Sequence, residues 1–202
     1  DLRGHGDSSA TFSHYGDEAT ASDLIALVEA LDASSAILVG ASMSAAAAVI
    51  AAGRRPDLVR GLVLVCPFLR GPASRLKTFM QRTMLGLALL RPWGPAVWRS
   101  HSARLWPGLP DARQRAAHLV SLLRRPRRWQ AFWATTRTDH RVVAPWLEKV
   151  GCPSLVVMGQ ADPDWKDPAA EAAWVARAVG EGLGEIVMVS GAGHAPMLER
   201  PD

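Results

Sequence analysis

The 202-residue chain alternates between two hydrophobic rhythms. Near-continuous apolar runs occupy residues 36–41, 59–67, 154–159 and 185–190. Short runs of this kind predict strands covered on both faces, hence a mostly parallel sheet joined by helical crossovers. Helical spacing fills much of the rest. Residues 17–32 place Leu24, Leu27, Val28 and Leu31 on one face. A second helix should run from 43 to about 52 and stop at Gly53. Asp167 and Pro168 supply N-cap and first-turn chemistry for a helix reaching about 179.

Between 72 and 148 the strand rhythm disappears. Asp111 is placed to cap a helix with Ala116, Leu119, Val120 and Leu123 on one face, ended by Pro126. The next helical stretch aligns Trp129, Phe132, Trp133 and Thr136. The pattern predicts an α/β core of residues 1–71 and 149–202, interrupted by a helical cap, 72–148, folded over the sheet. Six of the eight tryptophans fall in that insertion, and five of them (Trp93, Trp98, Trp106, Trp129, Trp133) in its helical stretches predict a largely apolar pocket for a small-molecule substrate.

Composition alters this picture little. With 49% hydrophobic and 21% charged residues the chain reads as an ordinary globular protein. No apolar run approaches the roughly 18 residues of a membrane span. Charge is uneven: residues 70–141 hold fourteen Arg and one Lys against Asp111 and Asp139, a balance of +13 in a chain of net +4. Without any nucleic-acid-binding module, this reads as a solvated arginine-rich face, with neither nucleic acid nor membrane as partner. Cys66 ends one expected strand and Cys152 precedes the next, about 15 Å apart on parallel strands. A disulfide needs Cα atoms within about 7 Å, so two free thiols and a reducing, cytoplasmic compartment are expected.

Chemistry gathers in the loops after three strands. The run AILVGASMSAAAAVIAA passes from strand through a sharp Gly-x-Ser turn into a helix, a nucleophile elbow with Ser42 at its apex. A serine hydroxyl needs a base within reach and a group that orients the base. Asp162 lies just past the third strand, and His194 lies after the fourth between Gly191 and Gly193. Asp164 is the alternative acid. Taken alone, Ser42 could be a helix N-cap, Asp162 a turn cap and His194 a loop histidine; the shared strand-end placement argues for a triad. His5, His14, His101, His118 and His140 read as surface or core histidines, with no metal-ligand spacing among them. No metal or cofactor is expected.

These motifs resemble the α/β-hydrolase superfamily over nearly the whole chain. DLRGHGDS resembles the family's loop after its fourth strand, VGASMSAA its elbow, LVVMGQADP its acid strand and GAGHAPMLERPD its histidine loop. The resemblance implies a Ser42–His194–Asp162 triad, an oxyanion donor in the Met43 N–H and a cap at 72–148. It implies hydrolysis of a carboxylic ester or related acyl bond. C–C bond hydrolysis, lactone opening, perhydrolysis and acyl transfer share that scaffold, and a non-catalytic binding protein is the alternative from another class. Ser42 separates the chain from epoxide hydrolases and haloalkane dehalogenases, which resemble this family but carry aspartate there. Two departures stand out. Position 44 is Ser where the elbow usually has Gly, and the family's first three strands have no counterpart. The loop after the third strand normally gives the second oxyanion donor. The sequence is therefore expected to be a fragment of a longer reading frame, poorly folded and nearly inactive by itself.

Overall fold

The computed structural model describes residues 1–71 and 74–202; Pro72, the expected start of the insertion, lies outside the described residues. The first half runs α1 (Asp17–Ala30), β1 (Ala36–Ala41), α2 (Met43–Arg54) and β2 (Val59–Val65). A helical insertion follows: α3 (Arg75–Ala88), α4 (Gly94–Leu105), α5 (Ala112–Leu122) and α6 (Arg128–Thr135). A 3-10 turn (His140–Val143) and α7 (Ala144–Leu147) lead back to β3 (Ser154–Gly159), α8 (Pro168–Ala178), β4 (Gly184–Val189) and α9 (Pro196–Glu199). The four strands form one parallel sheet in the order β1-β2-β3-β4. This is the expected α/β architecture.

The core centres on α2. Every residue from Ala45 to Ala52 is buried, as expected of a helix that is apolar all round. Alanines let α1 and β1 approach it closely. Val143 and Leu147, from the tail of the range expected for the cap, pack into this core beside Val150. Cys66 and Cys152 are buried free thiols.

Three local expectations change. The buried face of α1 is Asp17, Thr20, Ala21 and Val28, whereas Leu27 and Leu31 are exposed. The helix rotates its small residues toward α2, and periodicity alone weighted the larger leucines. Gly53 lies inside α2, where its bare Cα admits the Trp146 carbonyl of α7. The sheet is covered on both faces only at its centre. Ile37 and Val39 of β1 are exposed, Val39 by 70%, and so are Ile186 and Val187 of β4. β1 and β4 are the edge strands, and an open apolar edge such as β1 is a pairing surface.

Candidate active site

The elbow is built by a close approach of strand and helix. A Cβ on Gly40 would sit 2.6 Å from the Ser44 carbonyl oxygen and 2.7 Å from Ala45 Cα, so glycine is required there. Ser42 adopts φ 57°, ψ −121°, the first central position of a type II′ turn, which favours glycine over a side chain. Its N–H donates to Val65 O (2.8 Å) and its carbonyl accepts from Phe68 N (3.3 Å), tying the turn to the end of β2. Although Ser42 precedes α2, its side chain makes no capping bond, so the N-cap role fails. Ser44 braces the turn instead: its hydroxyl accepts from Ala41 N and donates to Ala41 O, both at 2.8 Å. The serine at position 44 is thus a strut. Met43, first residue of α2, has an N–H with no intrahelical partner, at the positive end of the helix.

The loops after β3 and β4 bring the other two residues together. His194 Nδ1 lies 2.8 Å from Asp162 Oδ2, while Asp164 Oδ2 lies at 3.5 Å. Asp162 is buried, and its second oxygen accepts from Asp164 N (3.0 Å). This bond pattern assigns the Nδ1–H tautomer to the imidazole and leaves Nε2 available. Burial by itself lowers the His194 pKa; the hydrogen bond and charge of Asp162, helped by Asp164 and Glu199, outweigh it and leave the imidazole above its ordinary value. Burial raises the Asp164 carboxyl, partly offset by His194.

Cys66 was not expected in this group. Its sulfur lies with the Asp162 and His194 donor atoms inside a 4.8 Å cluster. Such a triplet has metal-ligand chemistry, but burial, with Asp162 beside it, pushes the thiol up to about 12. The protonated sulfur donates weakly to Gly193 O (3.7 Å), and Asp162 Oδ2 is already engaged by His194. A protonated thiol is neither a good ligand nor a competing nucleophile.

Glu199 is the second residue that sequence reasoning missed. Its buried carboxylate accepts from Gly193 N (3.0 Å), Ala195 N (3.1 Å) and Gly108 N (2.7 Å). It therefore clamps the backbone on both sides of His194 and ties that loop to the insertion. His194 N also donates to Leu105 O (2.8 Å) at the end of α4. A carboxylate five residues past the histidine, in a loop otherwise short of polar side chains, was the available signal. Glu199→Ala strands buried N–H groups and should lower stability by about 1–3 kcal/mol, read from the urea midpoint.

An open cleft of about 560 Å³ leads away from the site between core and insertion. Phe68 and Trp165 are its apolar lining nearest His194; the Phe68 ring centroid is 5.6 Å from that imidazole and 5.1 Å from Trp165. Arg70, Arg82, Thr78, His140, Asp139 and Asp164 make the remainder polar and mixed in charge, with Arg82 beside Asp139. His140, stacked with Phe68 (ring centroids 5.8 Å apart), places Nδ1 2.8 Å from the buried Asp17. None of the six insertion tryptophans lines this cleft. Trp98 and Trp129 pack on Phe132 inside the insertion (4.7 and 5.3 Å), so these two serve its own cohesion.

The chain belongs to the alpha/beta hydrolase family, whose sequence model matches residues 1–202. The whole chain superposes on 73% of a thermophilic esterase from Thermogutta terrifontis, with TM-score 0.77 and 27% identity. It likewise superposes on 76% of Est816, described as an N-acyl homoserine lactone degrading enzyme (TM-score 0.75, 21% identity). It also covers 75% of a bromoperoxidase from Bacillus anthracis (TM-score 0.78, 17% identity). A comparison with curated proteins finds no match.

Proposed function

We propose that the chain carries the catalytic centre of a serine hydrolase acting on a carboxylic ester or related acyl bond. The observation that carries this reading is the 2.8 Å His194–Asp162 bond, with Asp162 buried, at the same end of the parallel sheet as the elbow that holds Ser42. Ser42 Oγ attacks the acyl carbonyl while His194 Nε2 takes its proton. The Met43 N–H receives the oxyanion, and the imidazolium, steadied by Asp162, returns the proton to the departing alkoxide. Water then attacks the acyl-enzyme, with its proton passing through His194 to Ser42. Helices α3–α6 cap the site, and the cleft along Phe68 and Trp165 takes the substrate. Similarity to an esterase agrees with acyl-bond chemistry.

The test is labelling by a fluorophosphonate, which phosphonylates an activated serine and displaces fluoride. Peptide mass mapping should find the adduct on Ser42 and lose it in Ser42→Ala. An unlabelled, folded protein would favour the non-catalytic binding role. A panel of esters, lactones and C–C substrates then sorts the chemistries that share this triad.

A further inference from the structure

Helix α3 is inverted relative to an ordinary surface helix. An amphipathic helix on a globular protein turns its apolar stripe inward. Here Thr78 and Arg82 face the cleft, while Leu76, Phe79, Met80, Met84 and Leu87 project outward. Phe79 and Met84 are each 67% exposed. Their spacing makes one continuous ridge, prolonged past the helix end by the exposed Leu90 and Trp93. Scattered exposed leucines are unremarkable, but a contiguous ridge of this length marks an interaction surface.

The charge around the ridge indicates what covers it. No aspartate or glutamate occurs between Asp57 and Asp111. Beside Phe79 and Leu87 runs a groove of about 440 Å³ walled by Arg82, Arg137 and Arg141. At the far end, Arg91 stands between Leu90 and Trp93 and helps line a hollow with Arg124, Arg125 and Arg127. An apolar stripe flanked by cations and closed by a tryptophan has the makeup of a helix lying in a membrane interface. Its apolar side chains enter the acyl region while arginines meet headgroup phosphates. A protein partner or second copy would match the ridge equally well; Asp139 pairs with Arg141 and Arg82, and Asp7 with Arg125, but the rim keeps an excess of arginines that favours a polyanionic surface.

We propose that α3 is a docking helix for anionic phospholipid surfaces, seating the insertion on a lipid interface with the cleft opening beside it. No helix among the described residues is long and apolar enough to cross a membrane, so the association is peripheral. The expectation of a merely solvated arginine-rich face describes the arginines but not the ridge they frame. This inference does not depend on the catalytic reading.

Co-sedimentation with vesicles made of equal parts phosphatidylglycerol and phosphatidylcholine tests it. The protein should pellet with these vesicles, pellet poorly with phosphatidylcholine alone, and be released as salt rises. The surface variant Met80→Gln/Met84→Gln/Leu87→Gln should weaken vesicle affinity about tenfold or more at unchanged circular dichroism. Ser42→Ala should bind vesicles as the parent does, which separates failure of this proposal from failure of the catalytic one. Absence of pelleting with the anionic vesicles would overturn the proposal. So would unchanged binding by the triple variant, or a concentration-dependent dimer that the same variant abolishes.

Discussion

Ser42→Gly is expected to remove acyl-bond hydrolysis and, at the same time, to make the protein more stable. The two effects come from one residue. As the proposed nucleophile, Ser42 would begin the covalent pathway, and losing a triad member typically costs about 10⁴-fold or more in turnover. As a backbone position, it holds φ 57°, a conformation that disfavours a side chain, and its hydroxyl gives no cap bond in return. Relieving such a position is worth about 1 kcal/mol. Thermal or urea unfolding should therefore show a rise in Ser42→Gly but little change in Ser42→Ala, which keeps the strained Cβ. Both should be equally inactive. The double variant Ser42→Ala/His194→Ala should be no slower than either single one, because the two residues act as a unit. Additive losses, or activity surviving Ser42→Ala, would remove the nucleophile assignment.

The strain also shows what a sequence can display. Gly40, Ser42 and the alanine run announce the elbow because its geometry restricts residue types to small ones. The four strands were equally legible, since continuous Val, Ile and Leu runs fit little else; all four appear within one or two residues of the expected bounds. Asp162 and His194 were legible because parallel strands gather their following loops at one end of the sheet.

What stayed hidden depends on long-range packing. Glu199 looks like a surface residue until the fold brings Gly108 and the histidine loop against it. Cys66 looks like a strand terminus until β3 and β4 bring Asp162 and His194 beside it. The α3 pattern is amphipathic in sequence, but periodicity carries no sign: it does not say which face turns inward. The tryptophans misled for a related reason. Aromatic content reports that something is packed, and here much of that packing is the insertion's own.

Asp162→Asn should lower turnover by about 10⁴-fold, whereas Asp164→Asn should retain most activity. Both carboxylates face the same imidazole, so the argument turns on geometry. Asp162 is buried and lies at 2.8 Å from Nδ1; Asp164 is less buried and stands at 3.5 Å. Only the nearer one fixes the tautomer that leaves Nε2 free for the proposed proton transfer from Ser42. The pH profile supplies an independent readout. An imidazole serves as a base only when neutral, so with His194 as the proposed base kcat/KM should fall as pH drops through its raised pKa. Asparagine at 162 removes the charge and hydrogen bond that hold that pKa up, leaving burial to pull it down. The acid limb of the residual activity should then move to lower pH. Asp164→Asn removes only a through-space charge, so its acid limb should move in the same direction by less. If Asp164→Asn instead produced the larger loss and the larger shift, Asp164 would be the acid of the triad, and the 2.8 Å bond would mark a resting arrangement that rearranges on substrate binding.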